Sequence, residues 1–111
     1  MTYNALIDKI VQLEYHQKLL LKMLSDTKLQ FFKLVIEKSL READVDAFFK
    51  LCDQLSNDLK EQKAEGFVHF NPLFDKFKVN LHPNLQAEDV IRSCLAQQLF
   101  TPLMTEFKKY I

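Results

Sequence analysis

A chain with one glycine, Gly66, and three prolines among 111 residues has almost no means of turning a β-sheet back on itself, because β-rich folds consume Gly, Asn-Gly and Pro at turns roughly every 8 to 12 residues. Helices need far fewer such residues. The few present fall where helix ends belong, so an all-α fold is expected, with about six helices in a single domain over residues 1–111.

The first helix is expected from Asn4 to Leu24. Tyr3, Leu6, Ile10, Leu13, Leu20 and Leu24 recur alternately three and four residues apart, with Gln17 in the remaining slot, which makes a three-heptad amphipathic seam. Its second half, Leu19-Leu20-Leu21-Lys22-Met23-Leu24, is apolar on more than one side, so this half is expected to enter the core while the first half projects or pairs. Ser25-Asp26-Thr27 offers capping side chains to a second helix, Lys28 to Ser39, whose Leu29, Phe31, Phe32, Leu34, Val35 and Ile36 leave little polar face.

A third helix begins near Glu42 and places Val45, Phe48, Phe49, Cys52, Leu55 and Leu59 on one stripe. It ends at Gly66, which fits a left-handed cap with Phe67 folding back. Phe67-Val68-His69-Phe70 alternates like a strand but has no partner strand, so it reads as a connector. Asn71-Pro72 and Thr101-Pro102 each read as a cap followed by a first-turn proline. They open a fourth helix through Leu81, burying Leu73, Phe74, Phe77 and Leu81, and a sixth burying Leu103, Met104, Phe107 and Ile111. A fifth lies between His82-Pro83-Asn84 and the second of these caps, about Gln86 to Gln98, burying Val90, Ile91, Cys94 and Leu95, with Glu88 and Asp89 in its first turn, where the helix dipole favours them. Ten phenylalanines and no tryptophan mean that Phe rings dominate the interior.

With Leu13-Glu14-Tyr15, Cys52-Asp53-Gln54-Leu55 and Gln62-Lys63-Ala64-Glu65-Gly66-Phe67-Val68, the chain resembles the YhaI-like family, small all-helical proteins of unknown function from Gram-positive bacteria. The likeness covers about Leu13 to Phe107. The family pattern has a Gly and then a Ser cap ahead of the third helix, where this chain has Ser39 and Arg41, so that boundary is expected to form differently. The resemblance implies an all-α fold; it implies no activity and supplies no catalytic residue.

Fifteen basic and fifteen acidic residues cancel, leaving no net field to collect nucleic acid or an anionic membrane. No run approaches the ~20 apolar residues of a spanning helix, and the N-terminus has no basic flank leading into an apolar stretch, so a cytoplasmic protein is expected. Two cysteines on apolar stripes read as reduced core thiols rather than a disulfide framework.

Chemistry-bearing patterns are sparse. Zinc sites usually carry a close pair such as C-x-x-C or H-x-x-x-H, and di-iron bundles carry Glu-x-x-His; neither spacing occurs around His16, His69 or His82. No nucleophile elbow is present, and one glycine cannot build a phosphate-cradling loop. No metal, cofactor or catalytic residue is therefore assigned and an enzyme is not expected, although a site assembled from distant residues would leave no linear trace. A helix-turn-helix drawn through Asn71 to Gln98 would present Glu88 and Asp89 to phosphate, which disfavours it.

What remains is the N-terminal seam. The expected function is a non-enzymatic, homo-oligomeric interaction module, a dimer or higher, pairing through Tyr3, Leu6, Ile10 and Leu13 with Gln17 as a polar register device, and open to a further protein partner. Residues 1–24 would be the oligomerisation element and 25–111 the helical core. Two readings compete: a DNA-associated regulator, and a small enzyme or ligand carrier with a Phe-lined pocket.

Overall fold

The computed structural model describes residues 2–111. Six helices and no strand are found among them: α1 (Tyr3–Met23), α2 (Gln30–Glu37), α3 (Glu42–Ala64), α4 (Asn71–Val79), α5 (Ala87–Gln97) and α6 (Thr101–Lys108).

The core is a chain of rings handed from helix to helix. Phe31 on α2 stacks on Phe48 of α3 at 5.0 Å between centroids, Phe48 meets Phe77 of α4 edge-on at 6.3 Å, and Phe77 lies 4.9 Å from Phe107 of α6. Phe74 and Tyr110 extend the series, 5.5 Å apart. Ring pairs at these separations add attraction beyond the area they bury. Cys52, Leu55, Val90, Ile91, Cys94, Leu103 and Met104 fill the space around the rings, each without exposed surface. α5 packs against α2 and α6, and α3 against α4 and α6, which closes α2–α6 into one body.

Helix ends show how so few glycines suffice. Three helices close with the backbone N–H just past a left-handed residue bonded five residues back: Leu40 to the Val35 carbonyl at 3.1 Å, and Phe67 to Gln62 and Leu99 to Cys94 at 2.9 Å. The left-handed residue is Ser39 (φ 56), Gly66 (φ 92) and Gln98 (φ 61) respectively. Only the middle one is a glycine; the other two hold an L side chain in a conformation that glycine adopts without cost. The α2–α3 boundary is thus formed by Ser39 in the left-handed region and Arg41 as N-cap, and Asp44 Oδ2 accepts from the Arg41 backbone N–H at 2.9 Å.

Several boundaries differ from expectation. α2 starts later than Lys28; the Thr27 hydroxyl accepts from Leu29 N–H, at 3.1 Å, ahead of the helix, and its carbonyl accepts from Gln30 Nε2 at 2.6 Å. Its first turn is capped from α5 instead: Gln97 Oε1 accepts from Phe31 N–H at 2.9 Å and Phe32 N–H at 3.1 Å. At α4 and α6 the capping positions belong to Phe70 and Phe100, one residue earlier than Asn71 and Thr101. Phe70 is drawn into the core, its carbonyl accepts the first helical bond from Phe74, and its own N–H is satisfied by Tyr110 Oη at 2.9 Å. Ile111, expected inward, lies past the end of α6 and is half-exposed. Phe67, whose N–H closes the end of α3, keeps a half-exposed side chain.

The largest correction concerns α1. No residue of it is buried, including the Leu19–Leu24 stretch expected to enter the core. The Phe ladder already fills that interior, and α1 is left running outward. At 1.5 Å rise per residue its 21 residues span about 31 Å, which accounts for much of the 62 × 28 × 18 Å shape.

Candidate interaction surface

α1 is a well-formed helix despite its isolation. Thr2 caps it, its hydroxyl accepting from Ala5 N–H at 3.1 Å, and Lys22 sits in the last turn, where the dipole favours a cation. What its surroundings do not supply is cover. Tyr3 (76% exposed), Leu6 (47%), Ile10 (43%) and Leu13 (53%) all face outward, and Ile7, Val11, Tyr15, Leu19, Leu20 and Met23 are exposed as well. Single exposed apolar side chains are ordinary, but monomers rarely expose contiguous apolar patches larger than a few hundred Å².

The seam divides into two halves. From Leu13 onward it runs beside the C-terminal end of α2, and the two helices wall an open groove of about 710 Å³. Leu13, Gln17, Leu20, Leu21 and Leu24 form one wall, with His16 beside them; Val35, Ile36, Ser39 and Leu40 form the other. Gln17 Nε2 reaches across to donate to the Ile36 carbonyl at 3.4 Å, the long end of the hydrogen-bonding range. Tyr3, Leu6 and Ile10 lie beyond the groove, on a half of the helix with nothing beside it.

Of the residues expected to pair, Leu13 and Gln17 are thus brought into one groove, and Tyr3, Leu6 and Ile10 remain on a bare stalk. Sequence reasoning missed the second wall. Its signal was there in the little polar face of α2, where Ile36 is exposed and Val35 only partly buried. Leucines and other aliphatic side chains line much of the groove and no phenylalanine does; most of the phenylalanines sit in or against the core.

Other chemistry-bearing groups have structural partners. Burial drives the Cys52 and Cys94 thiols well above their ordinary pKa, Cys94 to about 12, so both stay protonated and poor nucleophiles. His82 Nδ1 accepts from Asn84 N–H at 3.0 Å and orders the α4–α5 turn, while its Nε2 lies 3.8 Å from Asp44 Oδ2. Glu106, the buried carboxylate of α6, lies 3.8 Å from Lys63 Nζ and 3.3 Å from Lys109 Nζ. On α5, Arg92 is tied to Glu88 at 2.6 Å, so the one cation on the face once considered for DNA is engaged by its own carboxylate. Among the described residues no three His, Cys, Asp or Glu side chains converge as a metal-binding group, and no helix is long and apolar enough to cross a membrane.

Residues 3–111 match the family model described as a protein of unknown function, DUF1878, and the chain belongs to that family.

Proposed function

We propose that this DUF1878 protein is a non-enzymatic, homo-oligomeric interaction module in which α1 is the assembly element. The observation that carries the reading is a capped helix of 21 residues, with an apolar seam along its length and no residue buried against its own chain. Helices in proteins draw most of their stability from packing an amphipathic face. A second copy supplies that packing with the same surface twice, as closed symmetric oligomers do. Zero net charge removes the long-range repulsion that identical chains would otherwise carry. The likeness to YhaI-like proteins, from about Leu13 to Phe107, adds no activity to this reading.

Light scattering after size exclusion tests it. A dimer or larger species is expected at micromolar concentration, and a clean monomer overturns the proposal. Leu6→Asp combined with Ile10→Asp places two carboxylates in the seam and is expected to reduce the mass to that of one chain, with unchanged helix content in the α2–α6 core.

A further inference from the structure

We infer that the oligomer is built on an antiparallel, two-fold pair of α1 helices, the bare N-terminal half of each lying in the α1–α2 groove of the other. This deepens the oligomer reading above and rests on it.

The groove and the stalk match in kind and in length. The α1 wall of the groove runs from Leu13 to Leu24, about 17 Å at helical rise, and the bare segment from Tyr3 to about Gln12 spans a similar ~14 Å. The groove is mostly apolar on both walls, and the stalk offers Tyr3, Leu6, Ile7 and Ile10, all exposed. A single two-fold axis near the middle of α1 therefore fills both grooves and covers both stalks. Each stalk arrives as a naked ridge, which is the shape an open groove accepts at close-packed density.

A parallel pair does worse by the same measures. It sets two open grooves facing one another, so neither is filled by a ridge, and the α2 ends crowd the same region. Its attractions are two symmetry-related, exposed Lys9–Glu14 pairs between copies, which contribute little in water, and a self-paired Gln17 layer. That second device is already engaged, because the Gln17 amide donates to the Ile36 carbonyl of its own α2.

Spin-label distances decide between these arrangements. Asn4→Cys and Lys22→Cys carry the labels at exposed positions near opposite ends of α1, and the two native thiols are buried and inert to labelling. In the antiparallel pair the 4-to-4 distance is about 30 Å, since 18 residues of helix separate each label from the neighbour of its twin. A mixture of the two variants then shows a 4-to-22 distance shorter than about 20 Å. A short 4-to-4 distance in a species of dimer mass leaves the oligomer standing and overturns the antiparallel arrangement. A dimer in which both distances are long also overturns it, placing the contact elsewhere. A monomeric mass in light scattering overturns the oligomer itself, and this arrangement with it.

Discussion

Cys52 on α3 and Cys94 on α5 illustrate a residue role legible in sequence and sharpened by structure. Their places on apolar stripes identified them as core thiols, and both have no exposed surface. The sequence did not show that they are close enough for an ionised Cys94 to oppose ionisation of Cys52, an addition to the dominant effect of burial. A consequence follows for alkaline pH. Below the unfolded value of 9.0 both thiols are protonated in either state; above it the unfolded chain releases protons that the folded chain keeps, Cys94 to about 12. Stability is therefore full below pH 9 and falls as pH rises, with a slope of up to about 1.4 kcal/mol per pH unit for each thiol. Cys94→Ala is expected to flatten the slope of unfolding free energy between pH 9 and 11 by about that amount in urea titrations. Parallel slopes for the two proteins would show that Cys94 is not held protonated by the fold.

At the level of elements, the type and order of all six helices were readable from period and punctuation, while the ends were not, because the groups that finish them come from elsewhere in the chain. α2 is the clearest instance. Nothing local predicts that Gln97, 66 residues from Phe31, closes the first turn of α2 with two backbone bonds. Gln97→Ala is expected to cost about 1–2 kcal/mol, the usual toll of a lost cap that leaves donors unpaired. Gln97→Glu keeps the acceptor and sets a negative charge at a helix N-terminus, so it should be neutral or stabilising by about 0.3–1 kcal/mol. Denaturant midpoints check both, with exposed Gln54→Ala as the control; equal losses at positions 97 and 54 would dismiss the cap. The end of α2 makes the opposite case. Ser39 holds a φ of 56 with an exposed side chain, so Ser39→Gly relieves that conformation and is expected to stabilise by about 0.5–1 kcal/mol. A loss of stability would mean that the Ser39 side chain contributes something its surroundings do not show.

For the molecule as a whole, the seam was visible in sequence, but its placement was not. Leu19 to Leu24 look like core residues because hydropathy cannot distinguish a surface waiting for its own chain from one waiting for another copy. The ring ladder fills the interior without them, which leaves a compact α2–α6 body and a projecting α1. Two separable stabilities follow. Because no α1 side chain is buried, the α2–α6 body should unfold cooperatively whether or not α1 is paired. Under the proposed pairing, assembly adds to it by mass action, and the melting temperature should then depend on protein concentration. A tenfold increase in concentration strengthens dimer formation by about 1.4 kcal/mol, worth roughly 3 °C for a pair of chains this size. Scanning calorimetry should show that rise in the unaltered protein and none in the Leu6→Asp, Ile10→Asp variant, which should still melt in one transition. If the variant loses its cooperative transition altogether, α1 is part of what holds the core together, and the division into stalk and body fails.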